Sequence, residues 1–174
     1  KWYNSKKTQL CLTNDEMIAE YILQVERIIA KKPTISMLQF GVMDNRSSCN
    51  CESCVAKMQE LGTNQSGLNV RFVNKVAKAV DEWLAINYPG NHITYRTFAY
   101  SDYFNAPVSY DNEKGVYTAN HPEVIPRENV LIMIAPISMR DYSVPLSDEE
   151  NESIFQSIKG WASISSNISI WNYD

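Results

Sequence analysis

Along the chain, short continuous apolar runs take turns with longer stretches whose apolar positions repeat at helical spacing. Thr8-Gln9-Leu10-Cys11-Leu12 reads as a first short strand leading directly into Thr13-Asn14-Asp15-Glu16. Thr13 and Glu16 have capping-box spacing, in which hydroxyl and carboxylate each satisfy a free amide at a helix start. The helix that follows carries Ile18, Ile22, Val25 and Ile29 on one face. It ends near Lys31-Lys32-Pro33, two cations at the negative helix end and then a proline that cannot continue it. A second strand spans Ile35 to Met43. A short helix around Ala56 to Leu61 closes at Gly62. A longer one from Ser66-Gly67 turns Val70, Val73, Val76, Val80 and Trp83 or Leu84 inward, until Tyr88-Pro89-Gly90 terminates it. His92 to Tyr100 is a third strand; Val130 to Ile137 is a fourth, apolar on both faces as in a strand covered on both sides. A second capping box, Ser147-Asp148-Glu149-Glu150, opens a helix with Ile154, Phe155, Ile158 and Trp161 inward, and Ile168 to Tyr173 is the last strand.

Alternating β and α segments predict a parallel sheet with right-handed crossovers. The long stretch from Ser101 to Asn129, rich in Asn and Tyr and broken by prolines, reads as an irregular loop or insertion. The choice lies between an open doubly wound sheet and part of a barrel. A closed (β/α)8 barrel needs roughly 200–250 residues, so 174 residues supply about five of its eight strands. The expectation is therefore a single α/β domain over residues 1–174, the central portion of a TIM barrel, with five parallel strands neighbouring in sequence order.

The net charge of −4 and the absence of a Lys/Arg stripe interleaved with aromatics exclude nucleic acid as the expected partner. No apolar run approaches the ~20 residues that span a bilayer. The chain opens on Lys1-Trp2-Tyr3-Asn4 without a signal peptide, which reads as a piece whose localisation signal has been removed.

Candidate chemistry concentrates where strands meet the loops after them, the usual place for ligand groups in α/β folds. Asp44-Asn45 precede Cys49-x-Cys51-x-x-Cys54, and Cys11 is the remaining cysteine of four. Thiolates at this spacing suit a tetrahedral metal such as zinc, with Cys11 as fourth ligand. One or two disulfides and free thiols are the alternatives. In each case the role is structural, because no histidine lies nearby in sequence to activate a thiol, and no catalytic cofactor is indicated. Asp44, Asp102 and Asp141 follow successive strands and are the candidate catalytic acids. Asn45, Tyr100, Tyr103, Arg140, Trp171, Tyr173 and Asp174 are candidate substrate-binding residues, since acids and flat rings around one opening suit sugars. The plainer alternative is that Asp44 caps its own loop through backbone amides and that strand ends are polar in any α/β protein. His92 and His121 read as structural or solvated. P-loop, dinucleotide-binding, metallohydrolase and nucleophile-elbow motifs are missing.

Gln9-Leu10-Cys11-Leu12-Thr13-Asn14, the Asp44-Asn45 pair with its cysteine motif, Phe72-Val73-Asn74-x-Val76-Ala77, Ala99-Tyr100, Asn129-Val130 and Trp171-Asn172-Tyr173 together resemble one bacterial family. It comprises large domains of unknown function, glycoside-hydrolase-like (β/α)8 barrels that are distantly α-glucuronidase-like. The resemblance is collinear over nearly the whole chain, although the stretch from Ser101 to Asn129 looks longer than usual and Val42-Met43 replaces a commonly polar approach to Asp44. It implies a carbohydrate partner and a secreted, periplasmic or cell-surface protein of a Gram-negative bacterium. The resulting expectation is part of a glycoside hydrolase using carboxylate acid/base chemistry, the 174-residue piece being inactive alone. The alternative is a non-catalytic glycan-binding or scaffold barrel.

Overall fold

The structure, a computed structural model, describes residues 1–45, 47–137 and 140–172. Its centre is a parallel sheet of four strands, β1 (Met37–Gln39), β2 (Thr94–Ala99), β5 (Val130–Ile134) and β6 (Ile168–Ile170), in that spatial order. These strands are neighbours in sequence order, with no switch point, as an arc of a barrel requires. Among the described residues the sheet does not close on itself.

Two expectations are corrected. Thr8–Leu12 is not a strand of this sheet: its backbone turns back on the N-terminus through a single antiparallel bridge, Tyr3 to Leu10. Leu12 is buried, so the apolar pattern reports packing of the segment and not sheet pairing. The stretch from Ser101 to Asn129 is not irregular throughout; it contains an antiparallel hairpin, β3 (Val108–Asp111) with β4 (Val116–Ala119). Asp111 closes the turn by accepting the Glu113 and Lys114 amides, and Gly115, at φ +67°, takes the left-handed conformation that completes it. The hairpin seats on α4 (Glu152–Ile164) because residue 160 of that helix is glycine. A Cβ there would lie 3.0 Å from both Ala106 Cβ and Val108 Cγ2.

The buried face of the sheet carries Tyr95, Thr97 and Ala99 of β2 with Val130, Ile132 and Ile134 of β5. Against it lies α3 (Gln65–Asn87), flanked by α1 (Asp15–Lys31) and joined to β1 through α2 (Glu52–Glu60). The expected stripe on α3 is buried, with Leu84 and not Trp83 completing it. Polar groups that cross this interface are paired, Asn69 Nδ2 donating to Thr97 Oγ1 at 3.0 Å and the Tyr95 hydroxyl to Asp81 Oδ1 at 2.8 Å. On the other face Arg96, Phe98, Leu131 and Met133 are only half-buried, so β5 is covered fully on one side alone.

The cap of α1 is Asn14, not Thr13: its side chain accepts the Met17 amide at 2.8 Å, while the Thr13 hydroxyl turns toward the cysteines. Asn14→Ala is expected to lower stability by about 1 kcal/mol, read by chemical denaturation. The second capping box also shifts, Asp148 capping a single 3₁₀ turn, Glu149–Asn151, before α4 begins. No described helix is long and apolar enough to cross a membrane.

Candidate functional site

The four cysteines converge. Cys11 comes from the segment before α1, Cys49 from the loop after β1, and Cys51 and Cys54 from the N-cap and first turn of α2. Their sulfurs all lie within 4.8 Å of one another, with Cys11 3.7 Å from both Cys51 and Cys54. A tetrahedron of thiolates around a metal at about 2.3 Å has edges of about 3.8 Å, which the two separations from Cys11 match. They are far longer than a disulfide of about 2.05 Å, and all four thiols are free. The group can bind a metal.

The surroundings treat the thiols differently, and of Cys49, Cys51 and Cys54 only Cys51 is shifted toward the thiolate. The positive end of α2 faces Cys51 and Cys54. Thr13 Oγ1 lies 3.4 Å from Cys11 Sγ and 3.3 Å from Cys54 Sγ, and Ser53 Oγ lies 3.2 Å from Cys51 Sγ. Burial pushes the Cys49 thiol up to about 11, partly relieved by the Cys51 amide. At Cys51 burial opposes ionisation too, but hydrogen bonds from Ser53, from the Cys54 amide and from neighbouring thiols bring it down to about 6. Burial raises Cys54 well above the ordinary thiol range. Cys51 is the exposed member and borders an open polar cleft of 1080 Å³, with Asp102, Ser48 and Glu52 also on its walls.

The second site lies at the C-terminal ends of β1, β2 and β5. A cavity of 280 Å³ is lined there by Asp44, Tyr100, Phe98, Gln39, Ala135 and Ile137, among others. The Tyr100 hydroxyl donates to Asp44 Oδ1 at 3.0 Å. Phe98 meets the rings of Tyr100 and Trp171 edge-on, at centroid distances of 6.1 and 5.8 Å. Arg140 sits over the Tyr142 ring at 4.8 Å and donates to Asn172 Oδ1, which places it at the same end of the sheet.

The predicted residues therefore divide. Asp44 and Tyr100 line the small cavity, and the half-exposed Trp171 packs against Phe98 of its wall. Asp102 turns toward the cysteine loop instead, accepting from Ser48 Oγ at 2.8 Å after Ser101 reverses the chain at φ 52°. Tyr103 is enclosed at 3% exposure and offers no ring face to a ligand; burial raises its phenol, with Ser48 hydrogen-bonded to it. Asp141 closes its own turn by accepting from the Ser143 amide and hydroxyl, which hold its carboxyl below the usual range. Asn45 serves its loop: Oδ1 accepts from Gln9 and the Ser47 amide, and Nδ2 donates to Thr8 O. His121 accepts the Glu123 amide and caps a 3₁₀ turn. Tyr173 and Asp174 lie outside the described residues, as does Arg46 in the cysteine loop.

Phe98 and Gln9 were missed by the sequence reading. Period-two alternation along β2, which puts Arg96, Phe98 and Tyr100 on one face, was the available signal for Phe98. For Gln9 the motif at residues 9–14 marked the position but not its role, because its partners are 34 and 36 positions away.

No curated protein sequence matches the chain. Among solved structures it is similar to a β-N-acetylhexosaminidase from Bacteroides fragilis NCTC 9343, with 10% identity and a TM-score of 0.44. That match covers 87% of this chain and 24% of the other, so the chain spans about a quarter of the length of that structure. Over residues 3–174 the sequence matches the profile of a domain of unknown function, DUF4838, and the chain belongs to that family.

Proposed function

We propose that the chain is part of a secreted glycoside hydrolase acting on an oligo- or polysaccharide, its sheet an arc of a (β/α)8 barrel. The observation that carries this reading is the Asp44–Tyr100 pair beside Phe98, at the C-terminal ends of neighbouring parallel strands. A carboxylate serves as proton donor, base or hydroxyl acceptor, and the aromatic edges and faces suit the apolar side of a pyranose. At 280 Å³ the cavity holds roughly one sugar ring. The four thiolates hold one structural zinc ion in this reading, since soft sulfur ligands in a tetrahedral set select it. A secreted, periplasmic or cell-surface setting belongs to the same proposal and rests on the sequence resemblance.

One observation favours a second reading, a glycan-binding barrel without catalysis. Among the described residues lining the small cavity, Asp44 is the only acid, whereas glycosidases use two carboxyl groups about 5–9.5 Å apart. Full-length parent protein assayed on a glycan panel, for hydrolysis and for binding, separates the two. Turnover supports the enzyme; binding without turnover supports the module; neither result on any glycan removes both.

A further inference from the structure

Resting on the four-sulfur reading above, we propose that metal occupancy of the cysteine site sets the position of Asp44, with Gln9 as the positioning residue that links them. Gln9 is 3% exposed, yet it packs a fully polar side chain against a loop. Its Nε2 donates to Met43 O at 2.7 Å and to Asn45 Oδ1 at 3.2 Å, and its Oε1 accepts the Met43 amide at 3.0 Å. One side chain thus holds both backbone groups of the residue before Asp44 and the side chain of the residue after it. The Asn45 amide returns to Met43 O at 2.8 Å, closing a three-residue turn with Asp44 at its centre. Met43 itself is 61% exposed. Gln9 therefore places the backbone that carries the Asp44 carboxylate, while the Tyr100 hydroxyl holds Oδ1 itself.

Gln9 in turn depends on a segment that the sheet does not hold. Residues 8–12 pair with no strand of the sheet. Besides the burial of Leu12 and the Gln9 contacts just given, they are held by the isolated bridge to Tyr3 and by hydrogen bonds such as Asn4 N to Gln9 O at 2.9 Å and Asn45 Nδ2 to Thr8 O at 3.1 Å. Two positions after Gln9, Cys11 brings its sulfur to Cys51 and Cys54. Without a metal these are weak thiol contacts. With one, four metal–sulfur bonds tie the segment to α2 and to the loop that carries Asp44, closing the ring on both sides of Gln9. Metal occupancy then lowers the freedom of Gln9, and Gln9 transmits that order to Met43, Asp44 and Asn45.

The Met43 amide is a direct reporter, because its acceptor is Gln9 Oε1. Hydrogen exchange by NMR is measured on the chain loaded with zinc and on the chelated chain, with bound zinc quantified in each sample. Chelation is expected to speed exchange at Met43 and Asn45 by about tenfold or more, leaving the centre of α3 unchanged. Gln9→Ala should still bind one zinc per chain while exchanging at the chelated rate in both states. Wild-type chain that binds no zinc overturns the four-sulfur reading and the proposal with it. One bound zinc with unchanged exchange at Met43, or a Gln9→Ala chain as responsive to zinc as wild type, overturns the proposal alone. No glycan enters the measurement, so its outcome is independent of the carbohydrate reading.

Discussion

Cys54→Ser is expected to abolish stoichiometric zinc binding and to lower the melting temperature by roughly 10 °C in zinc-containing buffer. Cys54 is fully buried, sits in the first turn of α2 and has its sulfur 3.7 Å from that of Cys11. Serine keeps the approximate shape but replaces a soft anionic donor with a hard neutral hydroxyl, which suits zinc poorly. A ligand present at a thousand times its dissociation constant stabilises the folded state by about 4 kcal/mol. For a chain of this size each kcal/mol corresponds to about 2–4 °C, which gives the expected shift. Contact loss gives a different pattern, so the comparison in chelator matters. There, wild type and Cys54→Ser should melt within a few degrees of each other, because the metal contribution is missing from both. Calorimetry with metal analysis on each sample reads both numbers. Equal zinc content in wild type and variant, or an unchanged difference between them after chelation, sinks the metal site as the source of stability.

The elements that sequence made legible are those whose pattern is local and repetitive. On α3 the apolar stripe recurs every three or four residues over many turns, so Val73, Val76 and Val80 were identifiable from spacing alone and are fully buried. The order of the parallel strands followed from alternation with helices. Thr8–Leu12 misled because a short alternating apolar run looks the same whether its backbone joins a sheet or folds back on its own terminus. The hairpin β3–β4 was hidden by the prolines around it, Pro107, Pro122 and Pro126, although Asp111 and Gly115 carried a turn signal. For the sites, cysteine spacing was enough to bring Cys49, Cys51 and Cys54 together, and only one thiol remained to complete the set. The acids were harder. Asp44 and Asp102 follow neighbouring strands, so they occupy the same end of the sheet. Yet the left-handed backbone at Ser101 sends Asp102 toward Ser48 and the cysteine cleft. Strand order fixes the rim a residue reaches, and the loop conformation after the strand fixes which opening on that rim it faces.

In the full-length parent, Asp44→Asn is expected to reduce kcat by a factor of ~10² or more if Asp44 is the proton donor or base of a glycoside hydrolase. The substitution is nearly isosteric, and its amide oxygen can still accept the Tyr100 hydroxyl now 3.0 Å from Asp44 Oδ1. Asp44 is exposed and lies in a turn held by backbone hydrogen bonds to its neighbours, so the fold should be unaffected and the melting temperature unchanged. The variant therefore removes charge and proton transfer while leaving the cavity of 280 Å³ in shape. A fall in kcat with KM unchanged means an interaction made only in the transition state. A raised KM with kcat retained means that Asp44 holds a sugar hydroxyl and that the proton chemistry resides elsewhere. If the parent binds glycans without hydrolysing them, the same substitution should weaken that binding, because a charged hydrogen-bond acceptor has become a neutral one. Glycan turnover and affinity both equal to wild type would remove Asp44 from either role, and the cavity walled by Phe98 and Tyr100 would lose its place as the carbohydrate site.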